Sequence, residues 1–332
     1  MQKYNIAIVG ATGAVGQEFL KILAEREFPV GKLSLLATAR SAGKLIEWQG
    51  QSYTVAETSP EAFAGIDIAL FAGGSASTVF AQDAVARGAV VIDNSSAFRL
   101  DPAVPLVVPE VNPQDVAWHK GIIANPNCST IIMAAAIKPI FDAAGIKRIV
   151  VSTYQAVSGA GREGIEELAA QTRELVEGRE VTAQVFPYQI AYNLIPRIDV
   201  FQEGDYTKEE WKMVKETQKI FHAENMAITA TTVRVPVFRS HSESINIETE
   251  RKITASQARE VLAQAPGLVL IDDPSADKYP MPLFAADTDA VYVGRIREDL
   301  SIERGLNLWV VGDQIRKGAA TNAVQIAELL LK

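Results

Sequence analysis

Cys128 is the single cysteine of the 332-residue chain, in the stretch Asn125-Pro126-Asn127-Cys128-Ser129-Thr130. An apolar, strand-like run (Gly121-Ile122-Ile123-Ala124) precedes it, and a helix-like run from Ser129 to Ile137 follows. A thiol in such a strand-to-helix turn meets the positive end of the helix dipole, which favours thiolate over thiol. A lone cysteine is more often a small buried hydrophobe. The neighbours Asn, Pro, Asn, Ser and Thr suit a polar turn and cap instead, and they favour a nucleophile. The chain has three histidines. Of these, His241 lies among Arg239, Ser240, Ser242 and Glu243, a polar setting for a titrating group. Glu216 and Lys219 stand three apart and share one face of a helix, which on pattern alone is an ordinary surface pair.

The elements ahead of Cys128 read as a nucleotide fold. Tyr4 to Val9 is a buried strand, Gly10-Ala11-Thr12-Gly13-Ala14-Val15-Gly16 follows at once, and Gln17 to Glu25 has helical spacing. Glycines let a backbone turn sharply and approach a pyrophosphate, which the helix N-terminal N–H groups then bind. The spacing is GxxGxxG, and its strand and helix flanks carry the inference more than the glycines do. A second strand, Lys32 to Ala37, ends without the Asp or Glu that would bind the ribose 2′-OH of NAD. Arg40 and Ser41 instead offer a cation and a hydroxyl, which suits the 2′-phosphate of NADP. Two more strands, Ile66–Phe71 and Gly88–Asp93, flank a helix from Ala76 to Ala86. Strand C-terminal ends line the ligand crevice of such sheets, so Arg99, soon after the last strand, lies near where an anion would bind.

Beyond the cysteine helix, Lys147 to Val157 is a β-branched strand that runs into Ser158-Gly159-Ala160-Gly161. Helices follow to about Glu177 and from Thr207 to Phe221, the latter with a plausible capping start at Thr207-Lys208-Glu209-Glu210. Thr229–Val237 and Ser242–Thr249 alternate like strands of an open antiparallel sheet, with Arg234 and His241 along this region. Leu306–Val311 is a further strand, and a final helix from about Ala319 to Leu331 is placed to return to the nucleotide domain. The expected division is 1–127 plus 313–332 for the NADP-binding domain and 128–312 for a catalytic and dimerisation domain.

Whole-chain properties exclude several classes. Two domains fit the length, since single cores rarely grow beyond about 250–300 residues. The formal net charge is -8 and no basic block occurs, which argues against nucleic acid as a partner. One cysteine rules out an internal disulfide framework and fits a reducing cytosol. No run of about 18 apolar residues occurs, so no membrane span is expected, and the N-terminus runs directly into an apolar strand without a charged n-region, long h-region and cleavage site, so no signal peptide is expected.

Taken together, the motifs GATGAVG, TARSAGK, DNSSAFR, VVPEVN, NPNCST, STYQAVSGAG, VRVPV, SHSES and KGAATNAVQIAE, with the Glu216/Lys219 helix, resemble aspartate-β-semialdehyde dehydrogenases nearly end to end. The fold this resemblance implies is α/β: a Rossmann-like NADP-binding domain and an α+β catalytic and dimerisation domain, as in glyceraldehyde-3-phosphate dehydrogenase. It also implies roles. Cys128 matches the nucleophile and His241 the acid/base that supplies a proton as a hemithioacetal collapses. Gln155 matches the residue orienting the substrate, Arg234 the clamp on its carboxylate and Glu216 the partner of its amino group. Arg99 and Lys219 match the phosphate-binding pair. Gly10, Thr12, Gly13, Ala14, Val15, Gly16, Arg40, Ser41, Ser158, Gly159 and Asn322 match cofactor contacts, and no metal is expected. The implied activity is NADPH-dependent reductive dephosphorylation of L-4-aspartyl phosphate in a cytoplasmic homodimer or homotetramer, serving lysine, threonine, methionine and isoleucine biosynthesis. Rivals are an N-acetylglutamyl-phosphate reductase, a catalytically silent nucleotide-binding relative and, more remotely, a cysteine hydrolase. Glu216 argues against the first, because an acetylated amine has no charge to pair.

Overall fold

The computed structural model describes residues 2–331. The chain forms two compact units, residues 1–127 with 319–332 and residues 128–318.

The first unit is built on strands apolar at almost every position. They are β1 (Tyr4–Val9), β2 (Val30–Ala37), β6 (Ile68–Phe71), β7 (Val90–Asp93) and β8 (Ile122–Ala124), with a hairpin of β3 (Leu45–Trp48) and β4 (Gln51–Thr54) and a short β5 (Ala56–Glu57). Parallel strands covered on both faces read in this way. The order β5-β2-β1-β6-β7-β8 is parallel throughout. Helices α1 (Ala14–Glu25) and α2 (Ala76–Ala86) connect strands. The chain moves outward from β1 to β2 and then crosses to β6 on the other side, so the order reverses beside β1, where ligands bind in such sheets. The glycine loop leaves β1 at that point. The C-terminal helix (Thr321–Glu328) packs against α1 and β7, and Arg26 grips Glu328 through two 2.7 Å bonds. Its Ala323, Val324, Ile326 and Ala327 join Ile6, Ile8, Phe19 and Leu23 in one core. Each large apolar side chain buried there contributes roughly 1.5–3 kcal/mol.

The second unit places helix α3 (Cys128–Ala144) against a six-stranded sheet. In chain order its elements are β9 (Ile146–Gln155), α4 (Arg162–Val176), α5 (Lys208–Ile220), β10 (Ala227–Arg234), β11 (His241–Thr249), α6 (Ala255–Ala263), β12 (Leu268–Leu270), α7 (Pro282–Ala285), β13 (Val291–Glu298) and β14 (Gly305–Gly312). The sheet order is β10-β9-β11-β14-β13-β12. It is mixed, which corrects the antiparallel expectation: β10 runs parallel to β9, and β11 antiparallel to β9 and β14. The helical crossover through α4 and α5 returns the chain to the same end of the sheet, as parallel pairing requires. Residues 313–318 also lie with this unit rather than the first. Their polar groups are committed there: Asp313 accepts from Arg239 Nε at 2.6 Å, Arg316 pairs with Asp289 at 2.8 Å, and Gln314 donates to Ser158 Oγ.

Candidate active site

Cys128 is the first residue of α3 and is half-buried. Residues 129–137 behind it are buried all round, so the helix is a core element whose N-terminus presents the thiol. Gly318 leaves room for it, because a Cβ there would come within 3.0 Å of Cys128 Cβ.

Three polar side chains gather at one edge of the sheet for topological reasons. Gln155 ends β9, Arg234 ends parallel β10 directly opposite it, and antiparallel β11 begins with His241, next to Ser242, which faces Tyr154. Paired positions point to one face, so all three side chains share a side. Arg234 donates from Nη1 to the carbonyl oxygen of Ala156 at 2.6 Å and lies over the Phe186 ring, 5.8 Å from its centroid. Burial lowers its pKa, while the charges of Glu209 and Cys128 raise it. Gln155 Nε2 donates to Glu209 Oε1 at 3.2 Å and to Thr153 Oγ1 at 3.3 Å.

Glu209 belongs to α5 and was not singled out in sequence, where it looked like part of a helix cap. The capping box is formed by its neighbours: Thr207 Oγ1 accepts from the Glu210 N–H and Glu210 Oε2 from the Thr207 N–H. That register turns Glu209 and Glu216 inward. Both are buried, at 4% and 1% exposure, and Lys219 is half-buried one turn along the Glu216 face. The pair expected from pattern alone to be solvated is therefore drawn into the protein.

His241 is fully buried, and so are Ser242 and Glu243. The polar string that read as a setting for a titrating group is interior. The backbone N–H of Ala156 donates to His241 Nδ1 at 3.1 Å. Burial, then the Arg234 charge, push the imidazole pKa well below 6.5. Glu243 lies two residues on, on the same face. Its carboxyl oxygens have no hydrogen-bond partner among the described residues, and burial raises its pKa well above 4.5. Gly159 opens above these groups, since a Cβ there would approach Arg234 Nη1 to 2.7 Å and His241 Cε1 to 3.3 Å.

In the first unit, Gly10 has a φ of +86°, and a Cβ on Gly16 would sit 2.3 Å from the Gly10 carbonyl oxygen. Glycine at 16 thus lets α1 start hard against the loop. No side chain caps α1, so its first N–H groups are available to an anion. Thr12, Gly13 and Ala14 are exposed, Val15 is half-buried, and Thr12 Oγ1 donates to Ser41 Oγ at 3.4 Å. Arg40 is exposed in the turn after β2, which ends without a carboxylate. An uncapped helix start with a nearby cation fits a nucleotide that carries a 2′-phosphate. Arg99 is buried, with Nε and Nη2 donating to the carbonyl oxygens of Asn125 and Asn94 at 2.9 and 2.7 Å. Asn322 is also buried, its amide given to Val107 and Asn125. Asn94, missed in sequence, keeps both side-chain polar atoms buried and without a hydrogen-bond partner among the described residues. Among the described residues no cluster of His, Cys, Asp or Glu is placed to hold a metal.

A dinucleotide-binding sheet in one unit, and in the other a thiol at a helix start with a buried cation and a buried imidazole, suit an oxidoreductase that uses a nicotinamide nucleotide. Residues 5–119 match the family described as semialdehyde dehydrogenase, NAD binding domain, and residues 137–317 match semialdehyde dehydrogenase, dimerisation domain. The aspartate-semialdehyde dehydrogenase of Aquifex aeolicus strain VF5 is 61% identical, over 99% of this chain and 98% of its own. The crystal structure of aspartate semialdehyde dehydrogenase II from Vibrio cholerae complexed with ASA is 51% identical with a TM-score of 0.97, covering 99% of this chain and 98% of that one. The Candida albicans enzyme with NADP is 25% identical with a TM-score of 0.77, over 99% and 98% of the two chains. The chain belongs to the aspartate-semialdehyde dehydrogenase family.

Proposed function

We propose that the chain catalyses reductive dephosphorylation of L-4-aspartyl phosphate to L-aspartate 4-semialdehyde, and the reverse, through a thioester on Cys128. The observation that carries this reading is a half-buried thiol at the start of α3, in the unit whose sheet brings Gln155, Arg234 and His241 to one side. Cys128 attacks the acyl carbon and phosphate leaves, which splits one difficult step into two easier ones. Arg234, buried with one nitrogen anchored on Ala156, offers its remaining donors to the substrate α-carboxylate, a bidentate fit that lysine lacks. Gln155, steadied by Glu209, orients the substrate. Glu216 pairs with its amino group, which disfavours an N-acetylated substrate. Arg99 and Lys219 serve the phosphate, and His241 serves the carbonyl oxygen. The cofactor, NADPH when bound, supplies the hydride that reduces the thioester carbon. Gly10, Thr12, Gly13, Ala14, Val15, Gly16, Arg40 and Ser41 would hold it, together with Ser158 and Gly159. Asn322 would contribute by holding Asn125.

The same reading makes the chain a cytoplasmic enzyme of lysine, threonine, methionine and isoleucine biosynthesis. It pairs with a second copy, as a homodimer or within a homotetramer. No helix among the described residues is long and apolar enough to cross a membrane.

The test is NADP+ reduction by the purified protein with L-aspartate-β-semialdehyde, with and without phosphate. Phosphate-dependent NADPH formation is expected. Activity with N-acetylglutamate semialdehyde alone would keep the chemistry and overturn the substrate.

A further inference from the structure

We propose that Asn94 binds the nicotinamide half of the cofactor through its side-chain amide, which gives one hydrogen bond and accepts another. This rests on the reading of the first unit as the NADP-binding unit and extends it to a residue outside the set expected from sequence.

The sheet sets the position. Val9, Phe71, Asp93 and Ala124 form one row across β1, β6, β7 and β8, and each is the last residue of its strand. One step beyond them stand Gly10, Ala72, Asn94 and Asn125, along the edge where ligands bind in such sheets. Gly10 opens the loop that would take the pyrophosphate. Arg40, suited to a 2′-phosphate, follows β2, which pairs with β1 on the side away from β6. The adenosine half therefore belongs toward β2, and the nicotinamide half toward β6 and β7. Asn94 is two strand spacings from Gly10, about 10 Å, a span that one ribose and one ring can cover. Between the two, β6 runs into Ala72-Gly73-Gly74, and a Cβ on Gly73 or Gly74 would meet nothing within 4 Å. That turn presents little more than backbone, which a ligand can approach closely.

The amide itself is the second observation. Asn94 Oδ1 and Nδ2 are both buried and have no hydrogen-bond partner among the described residues. Buried polar side-chain atoms are paired in the large majority of cases. The backbone that carries this amide is fixed. The Asn94 N–H donates to the carbonyl oxygen of Phe71 at 3.1 Å, and the Asn94 carbonyl oxygen accepts from Arg99 Nη2 at 2.7 Å. The flanking residues are locked as well. Asp93 accepts from the Ser95 N–H at 3.0 Å, from Ser95 Oγ at 2.6 Å and from Ser77 Oγ at 2.5 Å. A held backbone with an unspent amide is preorganised to bind.

An amide calls for one acceptor and one donor. The carboxamide of nicotinamide presents both side by side, and so do the ribose hydroxyls. The carboxamide is the closer match, because two planar amides can meet through two parallel hydrogen bonds. The substrate phosphate, which Arg99 would serve, does not fit. Its ionised oxygens only accept, and Oδ1 would stay without a donor.

The test measures binding. NADPH and 2′,5′-ADP, which carries the 2′-phosphate but no nicotinamide, are titrated against wild type, Asn94→Ala and Asn94→Leu. Both variants should bind NADPH about tenfold more weakly, the order expected from losing two neutral hydrogen bonds, and 2′,5′-ADP as wild type does. No protein group uses the amide, so the ligand-free melting temperatures should match wild type. Unchanged NADPH binding, or an equal loss for both ligands with a lowered melting temperature, would overturn the proposal. A raised KM for phosphate with NADPH binding intact would place Asn94 in the phosphate site and also overturn it. The cofactor analogue with an acetyl group in place of the carboxamide lacks the N–H donors and should show a smaller gap between wild type and Asn94→Ala. An unchanged gap would move the contact to the ribose hydroxyls of the same half. Failure of the wild type to bind either ligand would defeat the NADP reading itself, and the proposal with it.

Discussion

Glu243 shows what burial does to a single residue. Its carboxyl is fully buried in the row behind His241, opposite Thr153 on β9 and Val310 on β14. Its folded pKa is raised, so between the unfolded and folded values the native state binds more protons than the unfolded state. Stability therefore falls as pH rises through that window. Glu243→Gln keeps the shape and never ionises. Relative to wild type it should be more stable at about pH 8 than at about pH 4, since only the wild type has a buried carboxyl that loses stability as pH rises. Urea midpoints at the two pH values measure this, and a gap independent of pH would contradict it. His241 acts on the acid side with the opposite sign. Its depressed pKa removes stability as pH falls below about 6.5. None of this was legible in Ser240-His241-Ser242-Glu243-Ser244, because a polar string read alone looks solvated. Cys128 was legible because it is unique and sits in a polar turn between an apolar strand and an apolar helix.

At the scale of elements, the sheet of the second unit has two unlike faces. Along β9, β10 and β11 buried positions alternate with half-buried or exposed ones, and α3 covers the buried side. The other side carries Tyr154 and Trp309 with rings 5.5 Å apart, and a cavity of about 340 Å³ beside Trp309, Arg295 and Arg297. That cavity lies on the Ser244 and Trp309 side of the sheet, not the side that His241 shares with Gln155 and Arg234. A half-buried sheet face of this kind suits a second copy of the chain. Sedimentation at micromolar concentration should give at least twice the mass of one chain. A monomer would contradict pairing. Alternation in β9 and β11 announced the strands, and apolar runs announced the parallel sheet of the first unit. The direction of β10 was hidden, because a strand's partners are set by the path of the chain through α4 and α5 and not by its own residues.

For the whole molecule, the chain leaves the nucleotide unit at Asn127, builds the second unit from Cys128, and returns at Ala319. The return was visible as an apolar final helix. The point of return was not, since the commitment of Asp313, Gln314 and Arg316 to the second unit depends on distant partners. On the proposed reading the glycine loop of the first unit holds most of the cofactor, and the covalent step falls to Cys128 at the start of the second. The most direct measurement is to mix the protein with L-4-aspartyl phosphate in the absence of NADPH, quench in acid and weigh the peptides. The account predicts an aspartyl adduct confined to the Cys128 peptide, one phosphate released per chain, and neither in Cys128→Ala. Phosphate release without an adduct, or turnover retained by Cys128→Ala, would contradict it.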